Sequence, residues 1–216
     1  MGIFNVNGGI MRTLSKVIDI ICLSILFVIC CIPVFTIGTA YTALYYTVQK
    51  VIKNDRGYIF KEYVSAFKNN FKQTTPVWLL VMLLTALLGV DIYIMNIWAQ
   101  NGSKLGMLSV IFLVLGTFLL AWEMYLFAYM ARFENTRKQS MKNAVLLTIL
   151  HLPWTLVQIV MAIAAWLLVY IIPVSLFFVP GVFALLESLI LEKIFWKYMS
   201  EEDRDAEKER NQEFKN

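Results

Sequence analysis

A single histidine, His151, stands among 216 residues, and that scarcity removes most metal and acid–base constellations at the outset. No nucleophile has suitable spacing to it, and no HExxH pair exists. It is expected to act as a polar cap where a helix enters the membrane. Cysteine is scarce too. Cys22, Cys30 and Cys31 share one apolar run without CxxC spacing, so neither a disulfide framework nor a thiolate metal site is expected. The chain has no GxxxxGK(S/T) loop and therefore no usual cradle for ATP hydrolysis. No enzyme activity and no cofactor are expected.

Charge is the other shortage. Charged residues make up 16% of the chain against 59% hydrophobic, with a mean hydropathy of +0.67. A soluble domain carries roughly 25% charged and about 45–50% apolar residues, so both departures point to lipid. The net charge of +4 is modest and lies in the loops. It suits anionic headgroups better than nucleic acid, which needs a concentrated basic face. The bilayer is the expected partner, nucleic acid is not, and a homo-oligomer is compatible with the composition.

What the chain does have is apolar length. A spanning helix needs about 20 mostly apolar residues. Segments 17–35, 76–97, 106–131, 152–172 and 180–197 qualify, the last being short and acidic. A sixth is hidden in 39–53, TAYTALYYTVQKVIK, which hydropathy alone leaves outside the membrane. Charge places it within the membrane. Arg12 and Lys16 precede the first span, and Lys50, Lys53, Arg56, Lys61, Lys68 and Lys72 follow the short segment. Both groups share the cytoplasmic side only if the chain leaves and returns between them. Six spans then place 18 of the 19 Lys and Arg residues inside, with Lys104 the exception in the 101–104 turn. The expected fold is an all-α polytopic bundle of about six transmembrane helices in three hairpins. Both termini are cytoplasmic, and a charged tail over 200–216 is expected to fray or be disordered.

Two cytoplasmic segments have their own pattern. In 58–73 the apolar residues Phe60, Val64, Phe67 and Phe71 recur at steps of four, three and four, joined by Tyr63. Lys61, Glu62, Lys68, Asn69 and Lys72 take the opposite face. This is an amphipathic helix fit to lie at the membrane interface or pack on the bundle, or to offer a docking surface to a protein partner. Segment 137–150, with Lys142, has a related layout: a Lys-Asn pair leads to Pro and then Trp at the next span.

Acids inside spans are costly and often mark function. Asp19 lies three residues from Lys16 and can pair or stay wet. Asp91 sits toward the outer end of its span. Glu123 and Glu187 are deeper and have no basic residue one helical turn away. They are read as polar fasteners, or as a proton or substrate site. The small and hydroxyl residues of 39–47, with Tyr41, Tyr45 and Tyr46, predict the tightly packed centre of the bundle.

Pro33, Thr36-Ile37-Gly38, Thr42-Ala43-Leu44-Tyr45-Tyr46, the 67–73 run FKNNFKQ, and Lys142-Asn143-Ala144 through His151-Leu152-Pro153 together resemble the YesL-like family of bacterial integral membrane proteins. That family is a domain of unknown function. Its members, mainly from Gram-positive bacteria, are often encoded near sugar-import and polysaccharide-utilisation genes. The resemblance implies a bacterial cell-membrane location and a role beside carbohydrate ABC-type importers. It carries over no catalytic residues.

Overall fold

A computed structural model of the chain describes residues 9–101, 104–199, 201, 202, 204, 205, 207 and 209. Gly102 and Ser103 of the expected outer turn, and most of the 200–216 tail, lie outside the described residues. The protein is all-α. Its helices are α1 (Gly9–Cys31), α2 (Ile37–Thr47), α3 (Ile59–Gln100), α4 (Ser109–Arg132), α5 (Arg137–Leu150), α6 (Leu152–Ile171) and α7 (Val179–Tyr198). A π-helical stretch, Val48–Lys53, continues α2.

Four helical segments are long and apolar enough to cross a membrane: Leu14–Cys31, Ile59–Gln100, Gly106–Arg132 and Leu152–Ile171. Their lipid-ready faces are bare, with Leu83 57%, Val110 62% and Trp166 65% exposed. This is the architecture of a multi-pass membrane protein. The 11 residues of α2 and the charged α7 do not meet the same measure of length and hydropathy.

The short α2 forms the centre. Eight of its residues are buried, from Gly38 to Thr47. Such a helix needs no lipid-facing length, because its surroundings are protein. Thr36 ends the preceding turn by donating its hydroxyl to Cys30 O (2.6 Å), a terminal carbonyl of α1 left without a helical partner near Pro33. Thr39 meets Thr74 Oγ1 at 2.7 Å and Thr75 Oγ1 at 2.9 Å, clasping α2 to α3. Gly38 sits where any side chain would collide with Trp78 and Phe127.

The largest departure from expectation is α3. Sequence predicts a separate interfacial helix over 58–73 and a span starting at Pro76. The two are instead one helix of 42 residues, about 63 Å long at 1.5 Å per residue. Pro76 lacks an N–H and so orphans the carbonyl of Lys72 one turn earlier. Arg137 of α5 donates to that carbonyl at 2.6 Å. A neighbouring helix thus supplies what the proline removes, and α3 continues.

The expected aromatic stripe is divided by this arrangement. Tyr63 is buried and donates its hydroxyl to Ala40 O at 3.3 Å. Phe67 packs on the same cluster as α2, and the Phe67 and Phe71 rings meet at a tilt with centroids 5.8 Å apart. Val64 is half-buried, while Phe60 remains 67% exposed.

The α1–α7 contact rests on a second glycine. Gly181 donates its N–H to Ser24 Oγ (2.9 Å), which in turn donates to Ile20 O (2.8 Å). A Cβ on Gly181 would lie 2.7 Å from Ser24 Oγ and 2.9 Å from Ile20 O. Gly181→Val is therefore expected to destabilise the bundle by about 1–3 kcal/mol through overpacking. Thermal unfolding in detergent, compared with an exposed Leu189→Val control, measures it.

Candidate functional site

Tyr41 and Tyr45 stand one helical turn apart on α2, so both reach the same side of it. Across from them α7 carries Glu187 and Glu192. Tyr41 donates its hydroxyl to Glu187 Oε2, and Tyr45 donates to Glu192 Oε1 at 3.2 Å. Glu192 also pairs with Arg132, the last residue of α4, with Oε2 3.3 Å from Nε. The same guanidinium bonds Glu207 of the tail and lies 3.8 Å from Met199 Sδ. A chain of polar groups thus runs from the bundle interior to its basic end: Glu187–Tyr41, then Tyr45–Glu192–Arg132–Glu207.

Glu187 is the deepest member. It is fully buried, and its Oε1 has no hydrogen-bond partner. Gln158 of α6 is equally buried, with neither amide atom bonded. Between these helices Tyr125 accepts a hydrogen bond from Thr155 (3.2 Å), which shares a face of α6 with Gln158. Unbonded polar atoms at this depth cost about 1–3 kcal/mol each, and their presence marks this place as unusual.

At the basic end the chain meets a cavity of about 930 Å³. Tyr45, Arg132 and Glu207 belong both to the polar chain and to its wall. The rest of the wall is rich in amides, notably Asn69, Asn70 and Gln73 of α3 and Asn135 between α4 and α5. Gln73 donates to Asn135 O at 2.7 Å, and Asn135 donates to Tyr129 Oη at 2.9 Å. Asn143 of α5 donates to the same hydroxyl at 2.8 Å. These bonds join α3, α4 and α5 around the opening.

Ion pairs gather the other basic segments at this end. Lys16 pairs with Asp55 at 3.0 Å and donates to Ile52 O at 2.9 Å, so its direct partner is not Asp19. Lys50 pairs with Glu62 at 2.7 Å. Lys53 donates to Ser188 O at 3.4 Å. The chain reverses between them through Asp55 (φ 51°) and Gly57 (φ 80°), where left-handed backbone favours a glycine.

The candidates expected from sequence therefore fare differently. Glu187 anchors the interior. Glu123 on α4 is half-buried and makes none of these bonds. Asp91 lies half-buried on the C-terminal half of α3, away from the site. Lys68, Lys72 and Lys142 are exposed on the basic end. His151 leaves the start of α6 without a side-chain cap and instead meets Tyr198 Oη at 3.1 Å. Burial and the nearby Lys197 hold its imidazole below the usual range.

Sequence reasoning missed the Arg132–Glu192 pair, Gln158 and Glu207. Arg132 reads as an ordinary inside charge and Glu192 as a short span's impurity. Nothing local tells that they meet.

A family model described as a protein of unknown function, DUF624, matches residues 20–92. The match covers the second half of α1, all of α2 and most of α3. It includes Tyr41, Tyr45 and the amides of α3, but not Arg132, Glu187 or Glu192. No curated protein and no solved structure matches the chain.

Proposed function

We propose that the protein is a non-catalytic accessory subunit that works from its basic end within a membrane assembly. The observation that carries this is the one-sidedness of its polar chemistry. The polar chain and the cavity occupy the basic end, and the chain stops at Glu187. Beyond Trp78 and Leu119 the outer halves of α3 and α4 are mostly apolar, and Thr117 turns its hydroxyl back onto Leu113 O. That arrangement suits docking or sensing better than a continuous path for solute.

The resemblance to the YesL-like family points to a carbohydrate ABC-type importer as the assembly, in a bacterial cell membrane. Charge asymmetry supports a cytoplasmic basic end, with α2 and α7 completing six segments at membrane depth. The pairs Lys16–Asp55 and Arg132–Glu207 support a shared side for both ends of the chain. Crosslinking mass spectrometry on the protein drawn gently from native membranes tests the role. Stoichiometric permease crosslinked through Lys61, Lys68 or Lys142 is the expected result. Recovery of the protein alone rejects it.

A second reading, a small transporter or channel, is favoured by Glu187 itself: a buried carboxylate with one unbonded oxygen between α2, α6 and α7. Under it, Glu187→Gln and Glu123→Gln abolish liposome flux while folding persists. Under the accessory reading, both changes leave partner binding intact.

A further inference from the structure

The buried Glu207 is the most unexpected feature of the basic end. The segment SEEDRDAEKERNQEFKN, 200–216, has almost no apolar residue with which to hold itself against the bundle. Its described members at 201, 202, 205 and 209 are exposed, yet Glu207 is 5% exposed. Its carboxylate bonds the guanidinium of Arg132, and both residues form part of the cavity wall. Lys53 lies close enough to interact with the same carboxylate.

Arg132 is itself largely enclosed, with its side chain 16% exposed. Its planar fork offers five N–H donors, and it suits carboxylate or phosphate oxygens in pairs. Glu192 approaches it from α7, within the bundle. Glu207 approaches from the polar tail that follows α7. One acidic partner is thus built in, and the other is delivered by a polar segment that water solvates readily.

The charges near the opening make the consequence specific. On the cavity wall Lys50, Arg56 and Arg132 stand against Glu134 and Glu207. With Glu207 withdrawn, Arg132 keeps one acidic partner, Glu192, in place of two, and the wall is left with Lys50, Arg56 and Arg132 against Glu134. The amides of Asn69, Asn70 and Gln73 stand on the same wall to bond the remainder of a polar molecule.

We propose that the cavity is a binding site for an acidic group, a phosphate or carboxylate on a polar molecule, and that Glu207 occupies its Arg132 subsite as an internal stand-in. Binding expels the tail, and the docked tail excludes the ligand. The acid has two sources, a soluble anion or an anionic lipid headgroup, and the chemistry at Arg132 is the same for both. The proposal rests on the basic end as the working face, while release of the tail by an anion is read separately from any partner captured there.

The test uses the full chain in nanodiscs, with Cys22→Ser, Cys30→Ala and Cys31→Ala and a spin label at Glu209→Cys. Inorganic phosphate and citrate are titrated into zwitterionic discs against sodium chloride of matched ionic strength. A parallel set of discs contains phosphatidylglycerol. The label is expected to become mobile with saturation on phosphate or citrate but not on chloride, which identifies a soluble ligand. Mobility in phosphatidylglycerol discs alone identifies a headgroup.

Glu207→Gln, a change in the tail that leaves the bundle intact, is expected to free the label without any anion. It also raises anion affinity about tenfold, as removal of a competitor that holds the site nine parts in ten requires. Arg132→Gln abolishes binding. The proposal is overturned if Glu207→Gln binds neither anion nor headgroup, or if chloride at matched ionic strength releases the tail equally well.

Discussion

Gly38→Leu is expected to leave no folded monomer, and Gly38→Ala to lower stability by about 1–3 kcal/mol, the usual cost of overpacking a filled interior. A Cβ at this position would lie 2.6 Å from Trp78 Cβ and 2.8–2.9 Å from the Phe127 ring. Neither neighbour has room to withdraw. Trp78 is held by its indole N–H on Val34 O at 2.8 Å and by an edge-on contact with Phe127, 5.9 Å between centroids. The first atom met, moreover, is a Cβ, which moves only with its backbone. Because α2 is the element that the other helices surround, its displacement disturbs α3 and α4 together. Size-exclusion profiles of a fluorescent fusion in detergent, followed by thermal ramps, report the effect. A Gly38→Leu variant with a wild-type profile and melting point contradicts this account of α2.

Removal of Arg132 is the second large effect. Arg132→Ala leaves Glu192 and Glu207 facing one another with side chains only 11% and 7% exposed. Stripping one partner from a buried pair costs about 3–5 kcal/mol, because the remaining charge loses its compensation. Glu207 has an escape, since its tail can turn to water. Glu192 has none, being fixed on α7 beside Tyr45. The loss should therefore be recovered in good part by Arg132→Leu combined with Glu192→Leu, which replaces the pair by packing. Glu207→Gln alone should cost little. A double-mutant cycle on thermal stability measures these quantities, and strict additivity of Arg132 and Glu192 would falsify the coupling.

Much of the architecture was legible because two independent signals converge on it. Long apolar runs give α1, α4 and α6 and the outer half of α3, and the distribution of Lys and Arg brings 12–16, 50–72 and 132–142 together. The run Thr39-Ala40-Tyr41-Thr42-Ala43 announced a packed centre through small and hydroxyl side chains, and eight buried residues of α2 follow from it. The continuity of α3 was not legible. Proline predicts a boundary from local chemistry alone, and only the distant Arg137 supplies the donor that lets the helix run on. The stripe from Phe60 to Phe71 was legible as a face that could pack on the bundle, but not that α2 is the helix that takes Tyr63 and Phe67 from it.

The candidate site was less legible still. Glu187 stands out because a carboxylate amid apolar residues is visible in one dimension. Its partner Tyr41, the orphaned Gln158 and the Arg132–Glu192 pair are products of helix packing, which no spacing rule encodes. The polar tail read as a fraying helix or a disordered segment, and composition cannot foresee one of its glutamates finding a buried arginine.

The central claim is that the amide-lined cavity at the basic end is the working face and opens to the cytoplasm. Side-specific labelling tests it most directly, in a variant free of Cys22, Cys30 and Cys31, with Asn135→Cys at the cavity wall and Asn101→Cys at the opposite turn. A membrane-impermeant maleimide should label Asn101→Cys on spheroplasts and reach Asn135→Cys only after permeabilisation. Labelling of Asn135→Cys from outside intact spheroplasts contradicts the account.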